Sequence, residues 1–184
     1  SQGLSTPVLP AMRGNVSIAA DRLIFEQTTL HNLQGALEFA DHSLALTPLT
    51  FDIAGGHAQA DIALTSSPDS VQADAQLALS QLDLSQIDPA LPPGNLLSAD
   101  IALALQPMEQ RPRLAIETLL ANLHIVHARF DYGHQNADTH LEGTLATSEE
   151  QTPANLLLNV NGTWRDKPLQ LEIQGAPLTR LLDL

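Results

Sequence analysis

The side chains in this sequence best suited to chemistry are its seven histidines, four of which crowd into one stretch as His124, His127, His134 and His140, with Asp131 and Asp138 among them. Imidazole and carboxylate together make up a common ligand set for zinc and related ions. Such a centre needs its donors on one side of the chain. In a regular strand, residues three apart point to opposite faces, so His124 and His127 would not share an ion; on a helix they would. Val126, Ala128, Phe130 and Tyr132 alternate with His127, Arg129 and Asp131, which favours the strand. The histidines then read as surface or turn residues, and no metal is expected. Asp131 and Asp138 could form an acid–base pair. Solvated strand-edge acids are the simpler reading, because no nucleophile, base and orienting group occur together. Gly55-Gly56 could cradle a phosphate, but no lysine or helix start follows, so a hairpin is the better account. Asn161-Gly162-Thr163 has the form of a glycosylation acceptor, and Trp164 reads as a core or interface anchor. No catalytic residue and no cofactor is expected, so the chain is read as a non-enzyme.

The elements that must carry these residues are bounded by composition. The 184 residues suffice for one domain with a core. With 21 acidic residues against 8 Lys plus Arg, the formal charge is −13, which repels phosphate backbones and excludes a nucleic-acid partner. Cysteine is absent, so there is no disulfide framework, thiolate nucleophile or thiolate zinc site. No apolar run approaches the roughly 18–20 residues that span a bilayer, and no leader-like segment opens the chain. The sequence reads as a soluble piece of something larger. Its apolar residues include 34 Leu and 24 Ala against only 4 Phe, 1 Tyr and 1 Trp. Their packed surface would be smooth and aliphatic, a first hint of an aliphatic ligand.

Periodicity assigns the fold class. Apolar residues recur with period two at Val16, Ile18 and Ala20; at Leu33, Gly35, Leu37 and Phe39; and at Leu44 and Leu46 after a turn at Ala40-Asp41-His42-Ser43. Phe51 and Ile53 lead into Gly55-Gly56, and Ala58, Ala60, Ile62 and Leu64 return. Val71 to Leu79, Leu97 to Leu105, Thr139 to Leu145, Leu156 to Val160 and Leu169 to Ile173 continue the pattern. This is antiparallel β with one dry face. The apolar parity switches across Pro48, which demands a bend or bulge, and Leu44 to Leu64 is expected as a three-strand meander cornered at Thr47-Pro48 and Gly55-Gly56. Leu114 to Val126 is ambiguous between helix and strands, with a helix expected nearest Leu114–Leu120. Ala176 to Leu184, with Pro177 near its start, looks like the opening of a short C-terminal helix. The chain is read as one β-domain over 1–184, built of two repeats, 14–87 and 95–184, joined by the Pro-rich linker 88–94. Two architectures satisfy the alternation: a single strongly curved sheet forming a groove or taco-like body, or a closed β-sandwich.

Leu44-Ala45-Leu46-Thr47-Pro48-Leu49-Thr50-Phe51-Asp52-Ile53-Ala54-Gly55-Gly56 resembles the L-x-L-x-P-L-x-F-x-(L/I)-A-G-G segment of AsmA-like proteins of the bacterial envelope. Val8-Leu9-Pro10, Ala20-Asp21-Arg22-Leu23 and Leu77 to Ile87 are similar to flanking parts of that unit. Gly162-Thr163-Trp164-Arg165-Asp166-Lys167-Pro168-Leu169 and Gly175 to Leu182 resemble a second recurrent element. The resemblance covers most of 8–87 and 122–184. It implies a periplasmic location, anchoring to the inner membrane by a helix outside this chain, and a β-groove that shields phospholipid or other acyl chains in outer-membrane biogenesis, with other envelope proteins as further partners. On this reading the lipid-facing apolar residues are Leu37, Phe39, Leu44, Leu46, Phe51, Ile53, Ile62 and Leu64. The alternative function is a non-catalytic scaffold or adhesion-type interaction domain.

Overall fold

Period-two alternation over most of the chain is realised as ten strands. The computed structural model describes residues 13–25, 28–67, 70–109, 121–134, 138–148 and 155–177. The strands are β1 (Gly14–Phe25), β2 (Thr28–Ala40), β3 (Ser43–Ile53), β4 (Gly56–Ser66), β5 (Ser70–Asp83), β6 (Asn95–Glu109), β7 (Leu123–His134), β8 (Thr139–Thr147), β9 (Asn155–Trp164) and β10 (Lys167–Pro177). They form one antiparallel sheet in sequence order, and β1 and β10 do not pair, so the sheet is unclosed. Among the described residues no second sheet faces it, which removes the two-sheet sandwich. The reason lies in the connections. Each strand returns directly beside its predecessor, and no long connection carries a strand off to begin another layer.

Tight turns enforce that order. Ala40 pairs with Ser43, Ile53 with Gly56 and Trp164 with Lys167, each across two residues. Both central residues have positive φ in every case: Asp41 and His42, Ala54 and Gly55, Arg165 and Asp166. This is the turn geometry whose twist matches that of the strands it joins. Gly56 is not itself in the left-handed region, as the Gly-Gly pair had suggested; its role is proximity. A Cβ there would stand 2.3 Å from the Ser80 carbonyl oxygen.

The Pro-rich segment 88–94 joins β5 to β6, which pair from Ser70↔Glu109 to Asp83↔Leu96, so the sheet runs on through this break. Ahead of it, Leu84–Gln86 makes one 3-10 turn, capped by Asp83, whose Oδ1 accepts from the Ser85 amide at 3.0 Å and the Ser85 hydroxyl at 2.7 Å. Little other helix is present among the described residues, and none is long and apolar enough to cross a membrane. The expected C-terminal helix is corrected at its start: Ala176 and Pro177 close β10, where Pro177 pairs with Asn155 after a register shift. Its remainder, 178–184, and the helix expected at Leu114–Leu120 lie outside the described residues.

The parity switch at Pro48 is a bulge and not a corner. Leu46 pairs with Ile62 and Leu49 with Ala60, so β3 carries one extra residue and continues as a single strand. Leu44 to Leu64 is thus two strands, not three. The bulge keeps Leu49, Phe51 and Ile53 on the same face as Leu44 and Leu46.

Candidate functional site

The pairing register carries an apolar face across the whole sheet. Paired residues in an antiparallel ladder share a face. One rung runs Phe51, Ala58, Leu79, Ala99, Phe130, Gly143, Val160, Leu171 from β3 to β10. The next runs Leu49, Ala60, Leu77, Ile101, Ala128, Leu145, Leu158, Ile173. All eight residues singled out in the sequence lie on this face. Leu37, Leu46 and Ile62 form one rung, Phe39, Leu44 and Leu64 another, while Phe51 sits against Ala58 and Ile53 against Leu30 and Gly56. Sequence reasoning confined the set to the first strands. Its extension through Leu77, Leu79, Leu103, Phe130, Leu158, Leu171 and Ile173 needed the register, although their alternation was visible.

What covers this face is slight. Val71, Leu82, Ile125 and Val160 are its buried branched side chains, and among the described residues no large side chain is completely enclosed. Leu37, Phe39, Leu44, Leu46, Phe51, Ile53 and Leu64 are half-buried and Ile62 is 40% exposed. Exposure is greatest at the outer strands, with Val16 at 50% and Leu171 and Ile173 at 43%. A face in van der Waals contact with a second layer would bury such residues.

Polar residues mark where the apolar rows stop. Ser66, Asn95, Thr139 and Thr147 are buried and lie at strand ends in phase with the apolar face. At three of them, Asn95, Thr139 and Thr147, the side chain bonds a backbone group beyond the ladder. The Asn95 amide donates to the Pro92 carbonyl and accepts from the Tyr132 hydroxyl. The Thr147 hydroxyl accepts from the Ile125 amide at 3.1 Å and donates to the Ile125 carbonyl at 3.3 Å, where the β7–β8 ladder has ended. Gly143 matters for packing: a Cβ there would lie 2.1 Å from Phe130 Cζ, so the ring occupies the place of the missing side chain.

The opposite face holds the charges. Glu38, Asp61, Asp74, Asp100, Asp131, Glu142 and Glu172 all fall on it by register. Asp52 accepts from His57 Nδ1 at 2.9 Å and from the Asn32 amide at 2.6 Å. The His57 contact, then the Asn32 amide, holds its carboxyl below the ordinary carboxylate range. Arg13 donates to Asp41 beside the β2–β3 turn and lowers that carboxyl in the same way.

The histidines are placed differently from expectation. Ala102 pairs with His127 and Leu103 with Ile125, so Val126 is an extra residue in β7 and is 58% exposed. The bulge puts His124 and His127 on one face, the polar one, instead of opposite faces. His127 Nε2 lies 4.0 Å from Asp100, and His124 Nδ1 lies 3.5 Å from the Thr147 hydroxyl. His134 ends β7, and Asp138 sits in the turn before β8. The ladder partner of Asp131 is Glu142, a residue the sequence reading passed over, and not Asp138. Trp164 is half-exposed at the β9–β10 turn, with the Arg165 guanidinium 6.0 Å from its ring centre, so it is not a core residue. Gly162, in the glycosylation-like triplet, has φ +150 and leaves no room for a Cβ beside the His140 carbonyl.

The arrangement offers apolar burial over a broad area with its charges turned away, a surface suited to aliphatic contact. No family profile, no curated protein and no solved structure matches the chain.

Proposed function

We propose that this chain is a non-enzymatic acyl-chain-binding module of the bacterial periplasm, similar in role to AsmA-like proteins, whose dry sheet face curves into a groove that shields phospholipid tails in transit between membranes. A single observation carries the reading: one apolar face runs the width of a ten-stranded sheet and is left half-exposed. Ten strands make nine steps of about 4.8 Å, roughly 43 Å in all. The hydrocarbon core of a bilayer is about 30 Å thick, so the tail region of one leaflet fits along the face with length to spare. Each methylene removed from water contributes about 0.8 kcal/mol, and a Leu, Ile, Val and Ala surface supplies that burial without gripping a headgroup. The acidic charge fits this mode of binding, because anionic headgroups find no basic cluster to hold them. Anchoring by a helix outside this chain, a place in outer-membrane biogenesis and contacts with other envelope proteins belong to the same proposal.

The test is native mass spectrometry of protein purified from a bacterial envelope, joined to photo-crosslinking from Leu37 and Ile53. Copurifying lipid, captured from both positions, is the expected result. If no lipid copurifies and the crosslinkers capture only protein, the face is an interaction surface of a scaffold domain and the acyl-chain reading fails.

A further inference from the structure

Three metal-ligating side chains meet on the polar face, away from the surface proposed to bind lipid. Asp131 and Glu142 are ladder partners on β7 and β8, and His140 precedes Glu142 by two positions, so all three project from the same side. His140 Nδ1 lies 3.6 Å from Asp131 Oδ1, and its Nε2 lies 3.3 Å from Glu142 Oε1. One donor atom from each residue lies within 4.8 Å of the other two. No other such group of three occurs among the described residues. The imidazole–carboxylate contacts His57–Asp52 and His127–Asp100 are pairs only.

Spacing, charge and room point the same way. Two donors about 2.05 Å from a tetrahedral zinc ion stand about 3.3–3.4 Å apart, and the 3.3 Å between His140 Nε2 and Glu142 Oε1 matches that value. Different ring nitrogens face the two acids, so a metal takes one nitrogen while an exposed carboxylate rotates toward it. Like charges directly opposite in a ladder repel, and a cation between Asp131 and Glu142 offsets this. A cavity of about 410 Å³ opens against both carboxylates, lined also by Arg129, Thr144, Asn159 and Asn161. His140 is not part of its lining, so this space lies on the carboxylate side of the cluster, where water reaches Asp131 and Glu142.

We propose that Asp131, His140 and Glu142 form a solvent-facing site for a divalent transition-metal ion of the zinc type, with water completing the shell. One imidazole and two carboxylates suit such an ion better than calcium, which takes six or more oxygens. The site is independent of the acyl-chain reading and stands or falls separately.

The experiment is titration calorimetry of the whole chain with zinc chloride at neutral pH. One equivalent should bind, weakened at least tenfold in His140→Ala and in Glu142→Gln, and unchanged in His57→Ala. All three groups are more than half exposed, so these changes should leave the far-UV spectrum of the sheet intact; Asp131→Asn, nearly isosteric, serves if His140→Ala does not fold. No heat up to millimolar zinc overturns the proposal, as does binding that survives loss of His140 or Asp131.

Discussion

The bulge in β3 and the bulge in β7 do the same mechanical work, yet only the first could be read before the structure. At Pro48 the apolar residues change phase, Leu44 and Leu46 before it and Leu49, Phe51 and Ile53 after it, and only an extra residue reconciles the two runs. At Val126 the phase change is disguised. Val126 is apolar and in step with Ala128 and Phe130, so the run looks unbroken back to it. The residue that points inward is Ile125, opposite Leu103, and Val126 is the one expelled. Parity is legible when an irregularity interrupts a pattern, and hidden when the surplus residue imitates it.

If register alone keeps the apolar face together, deleting a residue from a regular strand should be the most damaging change available. Removing Ala60 from β4 shifts either Ala58 or Ile62 and Leu64 to the wrong face. The expected outcome is loss of the cooperative unfolding transition in a urea titration followed by circular dichroism; a transition near that of the parent would disprove register control.

Next in size is Gly56→Val. Its Cβ would meet the backbone of Ser80 and Gln81, which a side-chain rotation cannot relieve. A loss of about 2–3 kcal/mol is expected from denaturant midpoints, and a loss under about 0.5 kcal/mol would show that β4 and β5 separate freely there.

Removal of Val126 sharpens the comparison from the other side. The shortened β7 would pair Ile125 with Leu103 and His127 with Ala102 in a regular ladder, and an exposed side chain is all that is lost. Stability should stay within about 1 kcal/mol of the parent. A loss comparable to the Ala60 deletion would mean that the bulge is needed for more than parity.

The smallest expected effect is electrostatic. The Asp52 carboxyl is depressed by His57 and then Asn32, so its contribution is present above the unfolded-state value near pH 4 and is lost as pH falls through the lower folded value. Asp52→Asn should therefore lower the urea midpoint slightly at pH 7 and leave it unchanged near pH 2. An equal drop at both pH values would assign the effect to geometry instead.

Much of the sheet was legible because one-sided burial imposes alternation on each strand. The hairpin turn at Gly55 was legible too, although the glycine pair misplaced the left-handed residues by one: Ala54 and Gly55 hold them, and Gly56 begins the next strand. The number of layers was not legible, since alternation says that one face is dry and not what lies against it. The grouping of Asp131 with Glu142 was hidden for a similar reason. It depends on which strands pair and in what register, and the turn read from the sequence at Gly133-His134-Gln135-Asn136 starts too early, because Gly133 and His134 still pair with His140 and Thr139.

The order of the strands has a consequence for how the chain comes to be folded. Every strand pairs with the one made just before it, and even the longer connections, 84–94 and 110–122, close loops far shorter than the chain, so closure entropy stays modest and no strand has to await a distant partner. Synthesis from the ribosome can lay the sheet down as it proceeds, each new strand adding to a ready edge. The growing edge is then always the most recent strand, and the segment most exposed to mispairing at any moment is the one whose proper partner is next to emerge.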